Sequence, residues 1–359
     1  MVSFRLLGKW TSLVLVSALL AALLRWAELP AAEMLGPMVA ATFFALRGAA
    51  PDMPRWAFGG AQAVIGCMLA MAITPSTLVS LAKDWPIMLT VVAMTIGAGG
   101  LTGFLLTRFG SLPGDTAAWG SSPGGAAAMT AMAEAHGADL RMVAFMQYLR
   151  LFVVVLTASV VTRLALGHAL DTPALHAWNP GLDTPLVPLI QTLALAACGV
   201  AAGGRLRIPA GALLLPMLIG ATLNATGLVT LIVPPWLLWL AYASLGWYIG
   251  LRFTRQTVLH AMQAIPQMLL GTALLIALCG VSAWVLTAWL DMDGLSAFLA
   301  TSPGGLDSIA IIAMGSGGDL PFILALQTLR LFAVVLTGPL VARLICRFGR
   351  ARATPDARH

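Results

Sequence analysis

The sequence is poor in charge. It has 20 basic and 14 acidic residues among 359, which together make 9% of the chain, whereas soluble domains carry about 25%. That is too little charge to coat a soluble globule of this size or to keep a chain disordered. A soluble enzyme, a disordered protein and a nucleic-acid-binding domain are therefore excluded as the main architecture, and no nucleic-acid partner is expected.

Cysteine and histidine are also scarce and lack the spacing of metal sites. The chain has four cysteines, with no Cys-x-x-Cys pair, and five histidines, with no His-x-x-x-His or Glu-x-x-His pattern. Neither a disulfide framework nor a structural metal site is indicated, and a di-iron or copper site has little support. We predict no cofactor, no metal and buried packing thiols at Cys67, Cys198, Cys279 and Cys346.

Apolar residues dominate what is present. They make 59% of the chain, and the mean hydropathy is +0.91. This composition predicts an all-α polytopic membrane protein whose main partner is the lipid bilayer. The continuous apolar segments are 10–27, 30–47, 57–73, 86–107, 116–135, 140–166, 186–203, 209–230, 235–251, 266–289, 297–315 and 320–345.

The chain repeats itself at an offset of 180 residues. A window that begins at Ser122 matches one that begins at Ser302 without a gap for 36 residues, 17 of them identical. The strongest block is Gln-x-Leu-Arg-Leu-Phe, which begins at Gln147 and again at Gln327. We therefore predict two tandem membrane repeats, 1–178 and 179–359. The first segment corresponds to 186–203, so we expect it to be a true span rather than a removable signal peptide.

Basic residues predict the topology. If the fifth segment of each half is re-entrant and each half crosses the membrane five times, 15 basic residues fall on the cytoplasmic side and three outside. This asymmetry follows the positive-inside rule and places both termini in the cytoplasm. Because five is an odd number, the second repeat is inverted relative to the first. Inverted repeats with broken elements that meet near the midplane are typical of secondary transporters.

Two arginines fall inside apolar segments. Arg150 and Arg330 are repeat mates, each eleven residues after an aspartate that is able to cap its helix and three residues after a glutamine, Gln147 or Gln327. Eleven residues give about 16 Å of rise, which places each arginine near the centre of the bilayer. At that depth an arginine must face protein or water. It either caps backbone carbonyls of the broken segment, or faces a polar cavity and binds an anion together with the glutamine.

The break in each half is a Ser-Pro-Gly-Gly sequence ahead of an apolar run. Serine suits an N-cap, proline suits the first helical turn, and glycine allows close backbone approach. A helix N-terminus exposed within a membrane cavity attracts anions, although a simple tight turn stays an alternative. The second half alone adds an acid, Asp307, as an ion-pair partner for Arg330 or as a site for a coupling proton or cation. The two breaks comprise Ser122, Pro123, Gly124 and Gly125, and Ser302, Pro303, Gly304 and Gly305.

The duplicated Ser-Pro-Gly-Gly and Gln-x-Leu-Arg-Leu motifs resemble those of the AbrB family of bacterial membrane proteins, over essentially the whole chain. The resemblance implies a location in the bacterial inner membrane. Family labels imply a role in regulating gene expression or an ammonia monooxygenase activity. In organisation, five spans and one glycine-rich re-entrant element per half look like the sodium-coupled glutamate and hydroxycarboxylate symporters.

We therefore expect a secondary transporter of a small anionic or zwitterionic solute rather than an enzyme. The expected binding residues are the two Ser-Pro-Gly-Gly elements with Gln147, Arg150, Asp307, Gln327 and Arg330. Segments five and six of each half would rock against the remaining spans. A membrane-bound regulator and, third, an oxygenase are the alternatives, and a homo-oligomer stays open.

Overall fold

The structure is a computed structural model. In the residues that it describes, the regular secondary structure is entirely helical. These residues are 2–27, 31–48, 51, 53–73, 75–166, 184–206, 208, 210–290, 292–305, 309, 312–313 and 319–349. The helices are α1 Val2–Trp26, α2 Ala32–Leu46, α3 Arg55–Met71, α4 Pro75–Phe109, α5 Gly114–Ser121, α6 Ala126–Ala135, α7 Leu140–Leu166, α8 Leu186–Leu206, α9 Gly211–Ala225, α10 Pro235–Gly250, α11 Arg255–Leu290, α12 Gly294–Thr301 and α13 Leu320–Gly349.

The prediction of an all-α, multi-pass membrane protein is confirmed. Within the described ranges, six helices are long and apolar enough to span a bilayer, namely α1, α4, α7, α8, α11 and α13. Helices α2 and α9 are apolar but only 15 residues long, which is about 22 Å against a hydrocarbon layer of about 30 Å. Ten full crossings and the inverted orientation of the halves therefore stay predictions.

The fifth apolar segment of the first half is broken, as predicted. Helix α5 ends at Ser121 and α6 begins at Ala126, with residues 122–125 outside any helix. In the second half α12 ends at Thr301, and residues 302–305 are again non-helical. Most of the residues that follow, including Asp307, lie outside the described part of the chain.

The chain divides into two compact units, and each takes helices from both sequence repeats. Unit 1 comprises residues 1–84 and 170–260, and unit 2 comprises residues 85–169 and 261–359. Helix α4 passes from one unit to the other at Asp84, where the backbone leaves helical geometry. The fourth, fifth and sixth segments of both repeats therefore belong to unit 2, so the fourth segment groups with the fifth and sixth.

Unit 1 is built by exchange of helices between the repeats. Helix α2 packs on α10, and α3 packs on α9. The repeat mates Gly66 and Gly246 make this close approach possible, because a Cβ on Gly66 would overlap the carbonyl oxygen of Leu213 and a Cβ on Gly246 would lie 2.6 Å from that of Met34. Side chains at these two positions would push the helices apart.

Unit 2 holds both broken segments. Helix α5 of the first repeat packs against α7 and against α13 of the second repeat. Trp119 on α5 is 1% exposed, and a Cβ on Gly338 of α13 would lie 2.8 Å from its ring. Helices α4 and α11 contribute a shared apolar cluster that contains Ala98, Leu275 and Cys279.

The prediction that all four cysteines are buried is partly wrong. All four are free thiols, and Cys67 and Cys279 are buried, but Cys198 is exposed and Cys346 is half-buried. Cys198 lies on α8, which has few buried positions. An apolar run does not reveal which face of a membrane helix packs on protein, because the lipid-facing side is equally apolar.

Candidate functional site

The first broken segment forms a helical hairpin whose two ends meet. The backbone N–H of Asp139, just before α7, donates to the hydroxyl of Thr116 near the start of α5, at 3.4 Å. The ring of His136, which follows α6, lies 5.1 Å from that of Trp119 on α5. The chain thus returns to the side from which α5 began, which is the geometry expected of a re-entrant element. We call α5, residues 122–125 and α6 the first hairpin.

The prediction that Ser122 caps the helix after the break is wrong, because its hydroxyl donates backwards to the carbonyl of Ala118, at 2.7 Å. The N-cap of α6 is instead Gly125, which has no side chain to offer. The break is four residues long, so the N-cap position falls on its last residue, Gly125, and not on Ser122.

Three N–H groups at the start of α6 consequently lack acceptors. The first N–H in this helix with a backbone partner is that of Met129, which donates to the carbonyl of Gly125. No residue in the described part of the chain accepts from the N–H groups of Ala126, Ala127 or Ala128. These three donors carry the positive end of the helix dipole at the tip of the first hairpin.

Arg150 on α7 binds the tip of the first hairpin. Its Nη1 donates to the carbonyl of Ser122 at 2.6 Å, and its Nη2 donates to the carbonyl of Gly124 at 3.2 Å and to the Gln147 side chain at 2.6 Å. Gln147 in turn donates to the carbonyls of Trp119 and Ser122, at 2.6 and 3.1 Å. The predicted carbonyl cap therefore exists, and it fixes the end of α5 to α7.

The second repeat reproduces this arrangement residue by residue. Arg330 on α13 donates to the carbonyls of Ser302 and Gly304 and to the side chain of Gln327. Gln327 donates to the carbonyls of Leu299 and Ser302, at 2.9 and 3.2 Å. The aspartates predicted to cap the two long helices do so, since Asp139 accepts from Met142 N–H and Asp319 from Phe322 N–H.

Each arginine keeps one donor unused. Arg150 and Arg330 are both 4% exposed, and the Nε of each is buried without a hydrogen-bond partner. The hydroxyl of Ser302 is the third such atom in the described part of the chain. All three atoms lie at the two arginine-capped tips of unit 2, and all three are able to donate. The two guanidinium N–H groups need an acceptor to be satisfied, whereas the hydroxyl of Ser302 is able either to donate or to accept.

Positive charge accumulates at these tips. The described residues place no carboxylate within ion-pair distance of Arg150 or Arg330. Carbonyl oxygens stabilise a guanidinium but do not neutralise it. A buried charge without a counter-charge is costly, so an anion is the chemically matched occupant.

Unit 2 also contains a small cavity that sequence reasoning missed. The cavity is about large enough for one water molecule. Its polar lining residues are Arg150, Thr102, Ser121 and Thr272. These hydroxyl residues come from α4, α5 and α11, which are far apart in the sequence. Their spacing carries no signal, because threonine and serine in apolar helices commonly bond their own backbone.

The described residues contain no cluster of side chains that could bind a metal ion. No group of three or more His, Cys, Asp or Glu side chains converges anywhere in that part of the chain. Glu134 and His136 follow one another closely at the end of α6, and the His136 ring contacts the carbonyl of Met132 and the ring of Trp119. In the described residues this histidine is therefore part of the hairpin packing.

The sequence is similar to known proteins over almost its full length. A family model described as "Transition state regulatory protein AbrB" matches residues 33–346. A protein of Escherichia coli (strain K12) named "Putative regulator AbrB" is 46% identical over 346 residues, which are 96% of this chain and 99% of the relative. "Uncharacterized protein YhjN" of Bacillus subtilis (strain 168) is 27% identical over 312 residues, 82% of this chain and 81% of the relative.

Proposed function

The chain belongs to the AbrB family of membrane proteins, and for this member we propose the function of a secondary transporter of a small anionic or zwitterionic solute. The observation that carries the proposal is the pair of broken segments in unit 2, each with a buried arginine that retains an unused donor. The proposed binding residues are the two Ser-Pro-Gly-Gly elements, Gln147, Arg150, Gln327 and Arg330, with Asp307 as a further candidate outside the described residues.

Breaking two helices inside a membrane protein needs compensation. Each free backbone donor or acceptor in the hydrocarbon layer costs several kcal/mol. The arginines and glutamines satisfy carbonyls at the breaks, but the first N–H groups of α6 have no acceptor among the described residues. Broken helices whose free N-termini face an anionic group of the substrate are the usual construction of transporter sites.

The same bonds also support a structural role for the arginines, so the test must separate binding from stability. Purified protein in liposomes is assayed for uptake and counterflow of small anions and amino acids. We expect Arg330→Ala and Arg150→Ala to abolish flux, while detergent-purified protein still unfolds cooperatively. Arg347→Ala and Arg163→Ala are matched controls, since these exposed arginines lie on the same two helices.

Two results would contradict the proposal. One is the absence of flux or specific binding for every solute in the panel. The other is a loss of flux in the Arg150 and Arg330 variants that follows only their loss of melting temperature, because that outcome assigns the arginines to the hairpin scaffold. Gradients of protons and of sodium, imposed separately, identify the coupling ion in the same assay.

A membrane-bound regulator is the second candidate, favoured by the family description and by the name of the Escherichia coli relative. It requires a cytoplasmic partner, and the segment after Cys346 is the bait to use. A pull-down with this segment that recovers one partner in stoichiometric amounts would favour regulation over transport. Recovery of nothing would count against it.

The remaining expectations are also proposals. We propose that the protein is not an enzyme and needs no cofactor, against an ammonia monooxygenase-like oxygenase, and stoichiometric iron or copper in the purified protein would overturn this. We further propose an inner-membrane protein with cytoplasmic termini and no nucleic-acid partner. Homo-oligomer formation is measured on the same preparation by light scattering.

A further inference from the structure

Among the polar residues that line the cavity beside Arg150, the guanidinium has an unused hydrogen-bond donor, whereas the threonine hydroxyls are already bonded. Arg150 lines it, and the Nε of this buried side chain has no partner. Thr102 and Thr272 also line it, and each hydroxyl donates to a carbonyl four residues earlier on its own helix, at 2.8 and 2.9 Å. The rest of the lining is apolar side chains and glycine. The strongest unmet donor among the residues that line the cavity is therefore the guanidinium N–H of Arg150.

One lining hydroxyl is weakly held. Ser121 Oγ shares its proton between the carbonyls of Gly99 and Ala118, at 3.1 and 3.3 Å, which are long for hydroxyl hydrogen bonds. Rotation about its Cα–Cβ bond would cost little bonding and would turn the proton into the cavity. Ser121 therefore supplies a second donor beside the Arg150 Nε.

The charge count points the same way. The charged side chains that are more than nine-tenths buried in the described part of unit 2 are Arg150 and Arg330. Between the second tip and Asp319, the sequence has a single acid, Asp307. The described residues place no carboxylate within ion-pair distance of Arg150, so its positive charge has no counter-charge there. A water molecule satisfies the free donor but leaves that charge, whereas an anion satisfies both.

We propose that this cavity binds one small monovalent anion, of halide size, held by the Arg150 Nε and by the hydroxyl of Ser121. The site contributes to the electrostatic stability of the hairpin tip whether or not the protein moves a solute. Its test therefore measures binding, and an absence of flux leaves it unaffected. The anion's source is either a free halide or the carboxylate of a small organic acid such as formate.

The experiment compares melting temperatures of the detergent-purified full chain at constant ionic strength and pH. Sodium gluconate is replaced stepwise by sodium chloride, by sodium formate and, as a divalent comparison, by sodium sulfate. We expect a rise in melting temperature that saturates with chloride or formate, as mass action requires for a ligand of the folded state, and no saturating rise with sulfate.

Variants localise the site. Ser121→Ala removes a donor to the anion, so we expect the apparent affinity to fall about tenfold or more. Thr162→Val is the control, because Thr162 is also buried and donates to a carbonyl of its own helix but does not line the cavity. The test does not use Arg150→Ala, because that variant also removes the hairpin cap.

The four salts distinguish a halide from a carboxylate, and an anion from water. A chloride response assigns a halide, and a response to formate alone assigns a carboxylate. Melting temperatures that are equal in all four salts overturn the proposal and leave water as the occupant. So does an anion response of the same size in Ser121→Ala and Thr162→Val, because it would not originate in this cavity.

Discussion

Docking of the first hairpin on α4 depends on the absence of a side chain at Gly99. A Cβ at this position would lie 2.5 Å from Cδ of Pro123 in the hairpin tip and 3.4 Å from the carbonyl oxygen of Ser121. The proline ring is part of the backbone and cannot rotate away as a flexible side chain does. Gly99→Ala therefore forces either the hairpin tip or α4 to shift.

The magnitude follows from two opposing effects. Alanine is favoured over glycine within a helix by about 1 kcal/mol, which would stabilise α4. A methyl group forced into a closely packed interior costs about 1–3 kcal/mol, with the higher values where the neighbours are rigid. We expect Gly99→Ala to lower the free energy of unfolding by about 1–2 kcal/mol and to reduce solute binding, because the tip that carries Ser122 moves.

Gly97 provides the control within the same helix. A Cβ there would meet nothing within 4 Å, so Gly97→Ala retains the gain in helix propensity and none of the clash. The assay is thermal unfolding of detergent-purified protein, followed by circular dichroism, with both variants measured beside the wild type. Equal melting temperatures for the two variants would refute the close contact between α4 and the hairpin tip.

Two further predictions concern other parts of the chain. Gly66→Ala should destabilise the protein by about 1–3 kcal/mol, because its methyl group overlaps the Leu213 carbonyl. Gly60→Ala, on the same helix and facing open space, should not, and equal effects in thermal unfolding would contradict the α3–α9 contact. Partial burial opposes ionisation of Asp139, but the hydrogen bonds and charge of Arg141 and the backbone N–H groups of Arg141 and Met142 outweigh it and lower the pKa of this carboxyl. Its stabilising effect is therefore complete above the unfolded pKa of about 3.9 and is lost as the pH falls through the lower folded pKa. We expect the difference in melting temperature between the wild type and Asp139→Asn to shrink between about pH 7 and about pH 3, and a difference that does not change with pH would contradict this.

Several features of the site follow directly from sequence. A basic residue in the middle of a long apolar helix must have a partner within the protein, since lipid offers none. Arg150 and Arg330 are therefore predictable from the sequence as residues with partners inside the protein, and helical spacing predicts the glutamines three residues earlier. The helix break follows as well, because Pro-Gly-Gly does not continue an α-helix.

Other features depend on contacts between distant segments. Whether Ser122 caps the helix after it or bonds back to the helix before it depends on the length of the break, and the structure places Gly125 at the N-cap. The cavity residues Thr102 and Thr272 lie on helices 170 positions apart in the chain and resemble many other threonines that bond their own helix. Their place beside Arg150 is therefore invisible in the sequence.

The sequence by itself determined that this protein is an all-helical membrane protein, that its two repeats each contain a broken segment, and that one arginine and one glutamine accompany each break. The physical reason is that lipid offers no hydrogen bonds, so every backbone polar group and every charge within the bilayer needs a partner inside the protein. Only the tertiary structure decided how each arginine divides its donors. Its terminal nitrogens bind the hairpin carbonyls and its Nε is left free, because that division depends on where α5 and α7, and α12 and α13, are held against each other by packing.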